Sequence, residues 1–327
     1  MDRNQIKIIV MAAIILIAVA GVTLVVARLP KKPAPKIEKT EPIQKKVPVV
    51  TTAAAVKEFS VVKEAKKLLE EGERGEAVRK LENIASLNQG SEQAYRSLLL
   101  LADIYKDDAN LLKAKGIYLA ILNDYSEYCD YAGIQKELTS LNMKILFSPI
   151  PTKTSETYEV VPGDSLIKIA KKYSTTVNLI KKANALASDL IMPGMKLKVQ
   201  KIPFAIVVDK SQSTLTLLQN DEVIKIYTVS TGKNNSTPVG AFTIKDKLID
   251  PVWYNQGAIV PADSPENVLG TRWLGLTTPN PGYGIHGTIE PESIGYQRTE
   301  GCVRMYNTEV EELFSIVPTK TEVTIID

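Results

Sequence analysis

The chain has 327 residues, of which 44% are hydrophobic, enough to build two or three packed domains. Lys and Arg total 40 against 37 Asp and Glu, a net charge of +3, so there is no broad basic field of the kind that neutralises nucleic-acid phosphates. Two cysteines and one histidine leave room neither for a disulfide framework nor for a multi-histidine metal site, and no metal or organic cofactor is expected.

The N-terminus opens with 20 uncharged residues, Ile8 to Ala27, flanked by Arg3 and Lys7 before and Arg28, Lys31 and Lys32 after. A helix of that length crosses the ~30 Å hydrocarbon layer. Ala18-Val19-Ala20 ahead of Gly21 has the small-residue pattern of a signal-peptide cleavage site. The apolar run nevertheless continues through Val22, Leu24, Val25 and Val26, so an uncleaved anchor over 1–28 is the preferred expectation. Arg28 to Pro48 carries five prolines and seven Lys or Arg, an extended, semi-stiff tether that also suits anionic lipid headgroups. The linker is placed at 29–55.

Helical periodicity follows over 56–150. Ala77, Leu81 and Ile84 share one face, and the same spacing returns at Ala114, Tyr118 and Ile121, an offset of 37 residues. A break falls at Asn88-Gln89-Gly90-Ser91. The pattern loosely resembles tetratricopeptide-type helix pairs, which predicts a small helical repeat and, as a partner surface, a groove for a protein; a plain spacer with a core fits equally well. Cys129, among Tyr125, Tyr128 and Tyr131, reads as a packing cysteine.

After Ser148-Pro149-Ile150-Pro151, residues 155–201 read as strand, helix, helix, strand. The markers are Tyr158-Glu159-Val160, Pro162-Gly163-Asp164-Ser165-Leu166, Ile169-Ala170-Lys171-Lys172-Tyr173, Asn184, and Pro193-Gly194 with Leu197 and Val199. These motifs resemble the LysM domain closely. The resemblance implies binding of N-acetylglucosamine-containing glycan between the two strand–helix loops. Carried over, the contacts are Gly163, Asp164, Ser165 and Leu166 on one side and Asn184 to Pro193 on the other. The same residues also serve simply as turns and caps.

The last region, 202–327, is rich in β-branched and alternating residues: strands are predicted at Phe204–Asp209, Leu215–Leu218 and Val223–Val229, with a turn at Asn220-Asp221. Gly232-Lys233 lacks the spacing of a phosphate loop. The chain's only histidine, in Tyr283-Gly284-Ile285-His286-Gly287-Thr288, lies 16 residues before Cys302 in Thr299-Glu300-Gly301-Cys302-Val303-Arg304-Met305. A thiol needs a base or a depressed pKa to attack at neutral pH, and imidazole titrates in that range. Gly301 and Cys302 offer adjacent N–H groups for an oxyanion, and Arg304 offers a planar fork for a carboxylate. Spacing alone reads equally as a buried structural cysteine and an unrelated histidine.

Further motifs decide between them. Ser230-Thr231-Gly232-Lys233, Thr237-Pro238-Val239-Gly240-Ala241-Phe242, Leu269-Gly270-Thr271-Arg272-Trp273 and Ser293-Ile294-Gly295, in this order with the two stretches above, resemble the YkuD-type L,D-transpeptidase catalytic domain from Phe204 to the C-terminus. The resemblance implies a mostly β domain with Cys302 as nucleophile, His286 as base, an oxyanion hole at Gly301 and Cys302, and substrate contacts from Arg304, Gly287, Thr299 and Glu300. The reaction it implies is 3→3 cross-linking of peptidoglycan stem peptides through a thioester, with release of D-alanine. Trimming by water, or a non-catalytic wall-binding scaffold, are the alternatives. The family carries histidine where this chain has Glu300. That carboxylate would either oppose thiolate formation or attract the acceptor amine.

The expected chain is thus a multidomain α+β protein: a transmembrane helix, an all-α repeat, a βααβ LysM domain and a mostly-β catalytic domain. Its expected location is a bacterial inner or cytoplasmic membrane, single-pass, with the catalytic domain outside. Its expected partners are peptidoglycan, the membrane and a protein at the repeats.

Overall fold

The computed structural model describes residues 53–255 and 257–327. The expected anchor, and the linker up to residue 52, lie outside the described residues. Among the described residues no helix is long and apolar enough to cross a membrane. The chain divides into two compact units, up to Gln135 and from Lys136 onward.

The first unit contains helices α1 (Ala53–Glu70), α2 (Arg74–Leu87), α3 (Glu92–Asp107) and α4 (Leu111–Asp124), with the start of α5 (Tyr131–Leu146). α1 packs on α2, α2 on α3 and α3 on α4. The predicted stripe Ala77, Leu81, Ile84 is buried, as is its repeat Ala114, Tyr118, Ile121. The break at 88–91 works because Gly90 sits at φ +77°, a region glycine enters without strain, and the Ser91 side chain accepts from Ala94 N to cap α3.

The second unit joins the rest of α5 to two modules. The first module is β1 (Ser155–Glu159), α6 (Leu166–Lys172), α7 (Val177–Ala183) and β2 (Lys196–Gln200), with β1 and β2 antiparallel, Tyr158 opposite Leu197. Ser165 caps α6 through Lys168 N, and Thr176 caps α7 through Leu179 N. Lys198 of β2 is 4% exposed and donates to Ile145 O at 2.6 Å and Ser148 O at 2.9 Å, closing the C-terminal end of α5. Burial pushes its ammonium down to about 8.

The second module is an eight-stranded sheet in the order β13-β11-β10-β7-β14-β3-β4-β5. Its strands are β3 (Phe204–Asp209), β4 (Thr214–Gln219), β5 (Glu222–Thr228), β7 (Gly240–Ile249), β10 (Arg272–Leu276), β11 (Gly284–His286), β13 (Val303–Arg304) and β14 (Glu322–Ile326). The three predicted strands and the turn between the last two are present; Asn220 and Asp221 both take positive φ, as a tight hairpin requires. β6 (Thr231–Gly232) pairs with β12 (Gln297–Thr299), and β8 (Trp253–Asn255) with β9 (Ala258–Val260), outside this sheet. Helix α8 (Asn307–Ile316) buries Val310, Leu313 and Ile316 in the same core as Leu274, Ile285 and Val303. Its Ser315 carbonyl and hydroxyl take bonds from Thr176 and Lys182 of the small module, whose Leu179 enters the sheet's core.

Candidate active site

β11 and β13 run parallel at one edge of the sheet, with Ile285 opposite Val303 and His286 opposite Arg304. Side chains alternate along a strand. Because Ile285 and Val303 point into the core, His286, Arg304 and Cys302 project from the opposite face. The sequence's two candidates for chemistry are therefore side-by-side on neighbouring segments, offset by one pleat. Such diagonal neighbours stand about 7–8 Å apart, a span that an aromatic ring such as imidazole reaches across.

His286 is 3% exposed. Its Nδ1 lies 2.7 Å from Gly287 O. A carbonyl only accepts, so the neutral ring carries its proton on Nδ1 and keeps a lone pair on Nε2. Burial pushes the imidazole down to about 4, Arg304 adds to that, and the Gly287 and Leu269 carbonyls oppose it. Half-buried Cys302 donates from Sγ to Gly282 O at 3.5 Å. Burial raises its thiol pKa, while the Gly284 N–H and Arg304 lower it. At neutral pH the resting site therefore holds a neutral thiol and a neutral imidazole, an arrangement for general-base activation rather than for a preformed ion pair.

The loop before Cys302 is self-braced. Thr299 Oγ1 donates to Cys302 O at 2.7 Å and accepts from Gly301 N at 3.1 Å. The Gly301 N–H, expected to face an oxyanion, is thus engaged, and Thr299 shapes the loop instead of presenting a free hydroxyl. Gly301 has φ +132°, and a Cβ there would stand 2.4 Å from the Tyr283 ring, so glycine is required on both counts. Glu300 points outward: its side chain is 92% exposed and pairs with Lys233 at 3.2 Å.

Arg304, read as a grip for a substrate carboxylate, is 7% exposed and already holds Glu290 Oε2 at 2.6 Å and Ser293 Oγ at 3.0 Å. Gly287 is buried beneath Asn307; a Cβ on it would lie 2.1 Å from Asn307 Oδ1. Asn307 ties the site together, accepting from Thr288 N at 2.9 Å and Thr271 N at 3.3 Å and donating to Thr288 O at 2.8 Å. Sequence reading missed Asn307 and Trp273. The first is legible only as a polar residue opening the helix after the cysteine motif, and the second only as a member of the Leu269–Trp273 motif.

In the small module the expected glycan contacts divide. Gly163 and Pro193 are exposed, amid exposed Val161, Ile167, Leu190 and Met192. Asp164 accepts from Tyr158 OH and Val161 N, which hold its carboxyl below the usual range. Ser165 caps α6. Leu166 is 2% exposed and belongs to the module's core. Asn184 donates to Ile180 O and Lys198 O and accepts from Lys198 N, so its amide is engaged within the module.

Residues 203–325 match the L,D-transpeptidase catalytic domain (YkuD), and residues 158–200 match the LysM domain. The chain is 34% identical over 177 residues to the putative L,D-transpeptidase YkuD of Bacillus licheniformis, covering 51% of this chain and 97% of that one. It is 35% identical over 177 residues to the protein of the same name in Bacillus subtilis, covering 52% and 98%. A 44-residue stretch is 54% identical to part of the probable peptidoglycan endopeptidase LytE of Bacillus subtilis, 14% of this chain and 13% of that one. With a cysteine and a histidine on one face of a mostly-β domain, and with the two YkuD proteins matched over nearly their whole length, the chain belongs to the YkuD-type L,D-transpeptidase family and carries a LysM domain ahead of its catalytic domain.

Proposed function

We propose that this protein forms 3→3 cross-links between peptidoglycan stem peptides through a thioester on Cys302. The observation that carries the reading is the placement of Cys302 and His286 on one face of the β11–β13 edge, with a lone pair left on Nε2.

His286 Nε2 takes the thiol proton as Sγ attacks the carbonyl carbon of the third stem residue. The tetrahedral oxyanion is held by backbone N–H donation. With the Gly301 N–H on Thr299, the N–H of Cys302 is the donor assigned this task. Collapse breaks the C–N bond, the imidazolium returns its proton to the departing D-alanine amine, and a thioester remains. The side-chain amine of a neighbouring stem then attacks the thioester, its proton passes to His286, and the thiol is restored. Glu300 and Lys233, exposed beside the cysteine loop, face the incoming stems. The LysM module binds the glycan through the exposed surface around Gly163 and Pro193. The N-terminal segment anchors the chain in the membrane with both domains outside, where tethering raises the local concentration of catalyst at the wall.

The test is incubation of the full chain with disaccharide-tetrapeptides, with products read by mass spectrometry beside Cys302→Ala. The reading predicts D-alanine loss together with dimers, both absent from the variant. D-alanine loss without dimers would replace it with a carboxypeptidase.

A further inference from the structure

The strand registers set the catalytic residues in a wider pattern. Across β7, β10, β11 and β13 one row of register partners runs Leu248, Trp273, His286, Arg304. The neighbouring row runs Asp246, Gly275, Gly284, and Cys302 continues it one residue before Val303. Both rows face away from the core, since Leu274, Ile285 and Val303 between them point inward.

The two glycines leave a trough between Asp246 and Cys302, and the Trp273 indole lies in it. A Cβ on Gly284 would stand 2.6 Å from Trp273 Cη2, and one on Gly275 would stand 2.9 Å from Nε1. The indole Nε1 donates to Asp246 Oδ1 at 3.1 Å. The ring then stacks on the His286 imidazole, with centroids 5.9 Å apart and planes 23° from parallel. The Gly287 and Leu269 carbonyls act on the ring's nitrogen edge and leave its face unsupported, and the second torsion of histidine is broad. The stack supplies the missing constraint.

We infer that Trp273, locked in its glycine trough by Asp246, is the positioning residue that holds the His286 ring plane for proton exchange with Cys302. The inference rests on the reading of His286 as the base. The indole also shields one side of the imidazole from water. The other charged or titratable groups around the ring are Arg304 on β13, Cys302 ahead of it, Glu290 behind Arg304, and Asp246 beyond the indole.

The chain has one histidine, so ring-labelled histidine gives one imidazole signal in the full chain. Its titration is followed by NMR in Trp273→Leu, Trp273→Phe and Asp246→Ala, alongside kcat and KM on the disaccharide-tetrapeptide. Trp273→Leu is expected to move the imidazole pKa up from about 4 and to lower kcat about tenfold or more with KM little changed. Trp273→Phe, which keeps a stacking ring, is expected to restore most of both. Asp246→Ala, at a half-buried strand position, is expected to shift both in the same direction by less, and it decides the matter if Trp273→Leu does not fold. An imidazole titration identical to wild type in the folded variants overturns the inference. A moved titration with unchanged kcat would show that the indole buries the imidazole without positioning it and overturns the inference as well, while full activity in His286→Gln is the separate result that removes His286 as the base.

Discussion

Arg304 Nη1 lies 2.6 Å from Glu290 Oε2, so the guanidinium that the sequence offers to a substrate is held by the protein's own carboxylate. Arg304 is nearly buried, whereas the Glu290 side chain is 52% exposed. Removing the exposed partner leaves a buried cation with, among the described residues, Ser293 as its remaining side-chain acceptor. Glu290→Gln is therefore expected to cost about 1 kcal/mol, discounted for the solvent reaching Glu290. Arg304→Met is expected to change kcat as well as stability, because Arg304 acts on both the thiol and the imidazole. Urea unfolding and steady-state kinetics read the two effects separately.

His286 makes stability depend on pH. Its ordinary value is 6.5, and in the fold it falls to about 4. Between these values the unfolded chain binds the proton and the folded chain does not, so stability rises with pH across this window. The contribution is complete above 6.5 and is lost as pH falls to 4, on the order of 3 kcal/mol in total. Urea midpoints measured from pH about 4 to 7 are expected to lose this component of their slope in His286→Gln. Equal slopes in both proteins would contradict the buried neutral imidazole.

Gly287 and Asn307 are expected to couple. Gly287→Ala drives a methyl into Asn307 Oδ1, and Asn307→Ala abandons Thr288 N, Thr288 O and Thr271 N. Each change is expected to cost roughly 2–3 kcal/mol. The double variant is expected to cost less than their sum by about 1 kcal/mol or more, since the clash disappears with the amide. Additive costs would show that the contact does not matter.

Glu300 gives a negative test. Its carboxylate faces Lys233 in solvent, and exposed pairs contribute about 0–1 kcal/mol. Glu300→Gln is expected to leave the thiol titration of Cys302 and the unfolding midpoint where they are, while changing KM for the acceptor stem. A clear drop in the thiol pKa would show instead that the carboxylate opposes thiolate formation. Loss of activity in Glu300→His would show that this chain uses its glutamate.

What the sequence made legible was local. Strand alternation placed β3, β4 and β5, the Asn220-Asp221 turn placed their hairpin, and the LysM turns and caps placed α6 and α7. Cys302 and His286 stood out because both residue types are scarce in this chain. Partnership across strands was not legible, because register depends on tertiary pairing. Arg304 finds Glu290 fourteen residues away, and Trp273 finds His286 only through the β10–β11 register. Nothing in the sequence sets Lys198 apart from other charged strand residues, and only the docked end of α5 reveals it as a buried cap. Leu166 and Asn184 sit where family glycan contacts are expected, yet packing and backbone hydrogen bonds occupy them.

The measurement that tests the central claim most directly is the intact mass of the full chain after brief mixing with disaccharide-tetrapeptide, before and after hydroxylamine. The account predicts a transient adduct equal to the substrate minus D-alanine, removed by hydroxylamine, mapped to Cys302 and missing from Cys302→Ala. Cross-linked product formed with no adduct on Cys302, or formed equally by Cys302→Ala, would contradict it.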